Sequence, residues 1–157
     1  NWQKENIFSV DEMKYVIAHE CMHFQQSYRD EKNGETLLGK VIQEGACDFL
    51  VSLVSDTFSE YRTSNIKYLD DNKNMNFILS EFKKEMHSNN MSKWMYNGGA
   101  IHDRPSDIGY ALGFKICKSY YERSTDKATA IIELLNTDNF EKILANSEYS
   151  HLTTINQ

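Results

Sequence analysis

Residues 19–23 read His-Glu-Cys-Met-His, so two of the chain's five histidines stand four apart around a glutamate. On a helix, a four-residue step returns to within about 40° of the same face, so His19 and His23 can grip one zinc ion together. Glu20, about 100° round the helix, can reach a water on such a metal and take its proton. The plainer reading of the same five residues is a solvated Glu between two surface histidines. A second stretch weighs against it. Residues 43–48 read Gln-Glu-Gly-Ala-Cys-Asp, placing Glu44 and Asp48 four apart in a segment that is otherwise apolar nearly all round. Burying a carboxylate without a partner costs several kcal/mol, so two on one buried face require a cation or strong donors. If the two segments form an antiparallel pair, the ~1.5 Å rise per residue brings Glu44 to within about a turn of the depth of His23. Glu44 then serves as a third ligand to a single zinc, with water in the fourth position. Asp48 can accept the second ring N–H of His19 and fix its tautomer.

The elements that must hold these residues are helical. Ser9 and Glu12 form a capping box that opens a helix over about 10–29. On it Met13, Ile17, Cys21, Phe24 and Tyr28 make an apolar stripe, expected to be buried while the His-Glu-His set faces a cleft on another side. DEKNG at 30–34 is a turn, and a second, buried helix runs over about 35–56. Residues 60–74 are polar and turn-like; weaker helices follow at about 75–88 and 91–96. NGG at 97–99 is a surface turn, and Pro105 starts a helix over about 106–123. Gly109 and Gly113, one turn apart on it, point to close approach of another helix. Two short helices, 126–136 and 138–146, complete an all-α reading of residues 1–157 as a single domain.

Composition narrows the classes further. The 157 residues carry 17 Lys and Arg against 23 Asp and Glu, a formal charge of −6, which argues against a nucleic-acid groove or a polybasic membrane surface. No window approaches the ~20 apolar residues of a bilayer span. Cys21, Cys47 and Cys117 are an odd number without CxxC spacing, so they read as small buried apolar residues. The opening NWQKENIFSV has neither an initiating Met nor a signal-peptide pattern, and reads as the start of a mature form or of the C-terminal part of a longer protein.

HExxH followed some twenty residues later by Glu, with Asp four beyond, resembles the gluzincin zinc peptidases. The resemblance implies that His19, His23 and Glu44 bind one zinc, Glu20 is the general base and Asp48 orients a ligand histidine. IAHECMHFQQ at 17–26, TLLGKVIQEGACDFL at 36–50, WMYNG at 94–98 and RPSDIGYALGFKICKSYYE at 104–122 resemble, more closely, an uncharacterised bacterial family. Its members are predicted zinc-dependent proteases common in Bacteroidetes, some labelled as related to gliding-motility lipoproteins. This implies a zincin-like helical core, a peptide or protein substrate, and an exported, periplasmic or lipoprotein location. Gluzincins place a β-sheet before the motif helix, and only 18 residues precede His19 here, so that sheet is expected to be missing. Such peptidases add a Tyr or His that donates to the developing oxyanion. Tyr110 and His102 are the candidates for that role. Arg104 is a candidate for a substrate carboxylate or a partner for Asp107, and Tyr96 a further substrate contact; both tyrosines also read as core aromatics.

Two rival readings remain at this stage. One is a non-catalytic, zinc-stapled interaction domain of an envelope or motility lipoprotein. The other is a di-iron carboxylate bundle built on Glu20-x-x-His23 and Glu148-x-x-His151. The latter leaves His19 without a role and the Glu44/Asp48 pair unexplained.

Overall fold

The computed structural model describes residues 9–26, 34–97, 101–136 and 139–153. These residues form seven α-helices and one 3₁₀ turn, with no strand among them: α1 (Val10–Gln25), α2 (Leu37–Val54), α3 (Glu60–Tyr68), α4 (Asn72–Glu85), α5 (Ile108–Arg123), α6 (Lys127–Asn136) and α7 (Phe140–Ala145), then Ser150–Leu152. An isolated bridge pairs Ile101 with Arg104. No described helix is long and apolar enough to cross a membrane. The fold is all-α, as the periodicity indicates.

α2 is the axis of the domain. It buries residues on every side, including Val41, Ile42, Ala46 and Leu50, because its neighbours cover it all round. Thr36 caps it by accepting from the Gly39 N–H at 3.1 Å. The N–H groups of Leu37 and Leu38, two of the orphan donors of a helix start, donate to the carbonyls of Ser88 and Met86 just beyond α4, at 2.7 and 2.9 Å. Across α2 lies α5, the most extensive helix–helix contact among the described residues. The two backbones touch where Gly45 meets Gly113: a Cβ on Gly45 would sit 2.1 Å from the Gly113 carbonyl carbon, and one on Gly113 1.9 Å from the Val41 carbonyl oxygen. Of the two glycines on α5, Gly113 makes the expected close approach to a helix, with Gly45 as the other half, while Gly109 comes closest to the Met95 side chain and the Trp94 carbonyl.

Three sequence expectations are corrected. First, the apolar stripe on α1 faces outward: Met13, Ile17 and Cys21 are exposed, and Phe24 is 85 % exposed. Tyr28 and most of the 30–34 turn lie outside the described residues. The face turned to α2 is instead the one bearing Tyr15 and His19, because Glu44 and Asp48 on α2 need proton donors or a cation and only that face of α1 supplies them. Cys21 is accordingly exposed, while Cys47 and Cys117 are buried as expected. Second, the polar stretch from residue 60 is helical as α3. Ser59 caps it, and its polar side chains dock rather than solvate: the Tyr61 hydroxyl and the Asn65 amide both donate to the Ser106 carbonyl, at 2.7 and 2.8 Å. Third, residues 91–96 make a single turn, with Trp94 and Met95 N–H groups both donating to the Met91 carbonyl, and no helix. The capping box at Ser9 is half formed. Ser9 accepts from the Glu12 N–H at 3.0 Å, but the Glu12 side chain accepts from the Ser59 hydroxyl at 2.8 Å, tying α1 to the start of α3.

The crossing of α2 and α5 has a measurable consequence. Gly113→Ala or Gly45→Ala forces backbone against backbone and should lower unfolding free energy by about 2–4 kcal/mol, at or above the usual overpacking range. In Gly34→Ala the added methyl meets only the movable Gln43 amide, at 2.9 Å. Urea denaturation should find that variant far less affected than the other two.

Candidate metal centre

α1 and α2 run antiparallel, which sets Tyr15 and His19 beside Asp48, and His23 and Gln26 beside Glu44 and Gln43. Three atoms converge from them. His19 Nε2 lies 3.1 Å from Glu44 Oε2, His23 Nε2 lies 3.2 Å from the same oxygen, and the two Nε2 atoms are 3.1 Å apart. A tetrahedral zinc with bonds of about 2.0–2.1 Å needs ligand atoms roughly 3.3–3.4 Å apart. The observed triangle is within a few tenths of an ångström of that.

The proton inventory of the triangle is more telling than its size. His19 Nδ1 faces Asp48 Oδ1 at 2.7 Å and donates to it, leaving a lone pair on Nε2 in the neutral ring. The Gln26 amide nitrogen donates to the Gln43 carbonyl at 2.8 Å, which turns the Gln26 oxygen toward His23 Nδ1 at 2.7 Å. His23 Nδ1 is thereby the donor, and its Nε2 also carries a lone pair. With both rings neutral, two lone pairs and a carboxylate oxygen face one another with no hydrogen between them, an arrangement that calls for a proton or a metal ion. The electrostatics agree. Burial alone would push the Glu44 carboxyl up, but hydrogen bonds with His19 and His23 outweigh it and hold it far below the usual range. Burial alone would depress His19, yet its bonds to Asp48 and Glu44 raise it to about 9. His23 is also raised, chiefly by Glu44. Positive charge, as proton or metal, is stabilised at the centre. The residues fit zinc.

Asp48 anchors this arrangement from behind. It is 1 % exposed and is met from three directions: by His19, by the Tyr15 hydroxyl on the same Oδ1, and by Arg62 of α3, whose Nε is 3.3 Å from Oδ2. Arg62 is itself stacked 3.5 Å over the ring of Tyr110 on α5. Cys47 sits on the far edge of His23, its sulfur 3.4 Å from Nδ1, and forms with the two histidines a cluster of donors within 4.8 Å of one another. Burial pushes that thiol up, away from the thiolate a metal would need.

The front of the site opens into a cleft of about 290 Å³, whose lining includes Glu20, Arg62, Tyr96 and Tyr110 beside the three converging residues. Glu20 is exposed there. Tyr96 donates its hydroxyl to Glu44 Oε1 at 2.9 Å and packs edge-on against Tyr110, with ring centroids 6.0 Å apart. His102 and Arg104, expected near the chemistry, are not among the residues of this cleft. His102 is exposed on the 101–104 turn. The Arg104 guanidinium is buried between Trp94 and Phe77, at 5.0 and 5.2 Å, and donates to Asp103 at 2.9 and 3.1 Å rather than to Asp107. Glu148 and His151 line a separate hollow with Asp70 and Lys115, so they are not brought to Glu20 and His23 as a di-iron site requires. Sequence reasoning missed Tyr15, Gln26 and Arg62. The first two carried a signal, standing four before His19 and three after His23 on one helix face; Arg62 carried none, since only the tertiary fold brings α3 to Asp48.

These supports have distinct expected effects on metal binding. Gln26→Leu frees the His23 ring and should weaken zinc affinity about tenfold, and Asp48→Asn by roughly 10–100-fold. Asp48→Asn also leaves Arg62 buried without its counter-charge and should cost about 3–5 kcal/mol of stability, which Gln26→Leu should not. Chelator competition and urea denaturation read the two effects separately.

No curated protein and no solved structure matches the chain. Residues 2–142 match a protein family described as predicted Zn-dependent protease (DUF2268), and that span contains every residue of the centre and of its cleft. A match over most of the length, with the converging side chains of α1 and α2 inside it, leaves one conclusion: the chain belongs to the predicted Zn-dependent protease family DUF2268.

Proposed function

We propose that this domain is a zinc-dependent peptidase of the gluzincin type, with one zinc held by His19 Nε2, His23 Nε2 and Glu44 Oε2, and Glu20 as general base. The observation that carries the reading is Glu20 itself, a carboxylate left exposed on the cleft wall beside three lone pairs that point at one spot. A metal needed only as a staple gives no reason for a free carboxylate or an open cleft at its side.

Bound there, zinc would polarise a peptide carbonyl and acidify a water molecule. Glu20 takes the proton of the attacking water as its oxygen bonds to the carbonyl carbon, and delivers that proton to the amine nitrogen as the C–N bond breaks. Water is the nucleophile, so no acyl link to the protein forms. Tyr110 and Tyr96 line the wall where charge develops on the carbonyl oxygen. Burial and the negative charge of Glu44 raise both phenols and keep them protonated; Tyr110 can donate to that oxygen, whereas the Tyr96 proton is already given to Glu44 Oε1. His102 lies on its turn outside this wall and takes no part in the proposal. Arg104 clamps the loop that carries Tyr96, against Trp94.

Glu20→Gln separates catalyst from staple. Peptide-library cleavage followed by mass spectrometry should fall by about 10²–10⁴-fold in the variant, the usual worth of a positioned general base, with zinc content and helical circular dichroism unchanged. Equal cleavage by wild type and Glu20→Gln overturns the mechanism. A zinc-loaded wild type that cleaves nothing favours the interaction-domain reading instead.

A further inference from the structure

Two non-glycine residues of the described chain have a positive φ, Tyr96 at 57° and Asp107 at 55°. They belong to one device. The Asn97 N–H donates to Asp107 Oδ1 at 2.9 Å, and the Asp107 N–H donates back to Asn97 Oδ1 at 3.1 Å. One turn earlier the Gly109 N–H holds the Trp94 carbonyl at 2.9 Å, while the Trp94 indole donates to Glu85 at 3.0 Å. Tyr96 is thus fixed between an anchor at residue 94 and a clasp at 97. Asp tolerates left-handed backbone; a bulky Tyr does so only at a cost of about 1–2 kcal/mol. Burial does not explain that choice, because Tyr96 is 62 % exposed. Its strained backbone secures one polar contact, the bond from its hydroxyl to Glu44 Oε1.

That contact falls on the oxygen of Glu44 that does not face the histidines. A carboxylate offers a metal one oxygen or two, and two would fill the position a water or substrate must occupy. A phenol donating to Oε1 engages that oxygen and turns it away from the centre. We infer that Tyr96 is a positioning residue that holds Glu44 to single-oxygen ligation, and that the Asn97–Asp107 clasp sets it there. The inference rests on the zinc reading proposed above. It concerns the geometry of the ligand set.

Cobalt(II) substitution tests it, because the visible absorption of cobalt weakens as coordination rises from four to five, whether or not the protein turns over. In Tyr96→Phe the absorption should weaken, and zinc affinity should fall about tenfold, as for other supports of a metal ligand. Thermal unfolding of the metal-free variant should stay close to wild type, since only an exposed hydroxyl is lost. Asp107→Ala, which opens the clasp, should change the spectrum in the same sense. Asp107→Asn keeps both the acceptor oxygen and the tolerance of left-handed backbone, and should restore the wild-type spectrum. Identical cobalt spectra and zinc affinities in wild type and Tyr96→Phe overturn the positioning role alone. A wild type that takes up no cobalt overturns the zinc reading, and the positioning role with it.

Discussion

A carboxylate as deeply buried as Asp48 must be neutralised where it lies, and α2 offers nothing of its own to do so. Three helices answer it. α1 brings the Tyr15 hydroxyl and the His19 ring, α3 brings Arg62, and α5 brings the Tyr110 face on which Arg62 rests. The orientation of α1 follows. Its most apolar side would pack well against α2 on hydrophobic grounds alone, yet that side points outward, because leaving Asp48 and Glu44 unmatched would cost more than leaving Ile17 and Phe24 in water. Once His19 is turned to Asp48, its other nitrogen necessarily faces Glu44, and the four-residue step brings His23 to the same place.

This ordering explains which features could be read from the residues alone. The two histidines, Glu44, Asp48 and their mutual positions were legible, because each pair stands four apart on a helix and the two helices are close in sequence. Several helix boundaries were legible too: the cap at Ser9 and a start after Pro105. What the periodicity suggested for α1 was inverted. A hydrophobic stripe identifies a face but not its partner, and here a polar partner prevailed. α3 escaped notice since its Tyr61, Arg62 and Asn65 are polar residues used as docking groups, which from sequence look like a solvated turn. His102 and Arg104 were drawn toward the site by proximity in sequence to Tyr110. The clasp between Asn97 and Asp107 adjoins Tyr96 at the cleft, while Arg104 lies against Trp94.

The two sides of the centre differ in character. Behind it, the buried Asp48 gathers Tyr15 and Arg62 beside the α2–α5 crossing, where glycine backbones leave no slack. In front, Glu20 and Tyr96 are solvent-exposed. Such a division suits a site that must fix its ligands while admitting a substrate.

The uneven burial of the two ligand-bearing helices bears on how the domain comes apart. α2 buries thirteen of its residues, whereas α1 buries two, Tyr15 and His19. The helix that carries both imidazoles is thus attached to the rest of the domain chiefly by polar contacts, and has little apolar area to keep it docked. Local opening is then cheaper at α1 than at α2, and a zinc held as proposed would act as the latch between the two. Occupancy of the centre and order of the first helix would become one thermodynamic quantity: whatever withdrew the ion would also loosen the segment that recaptures it.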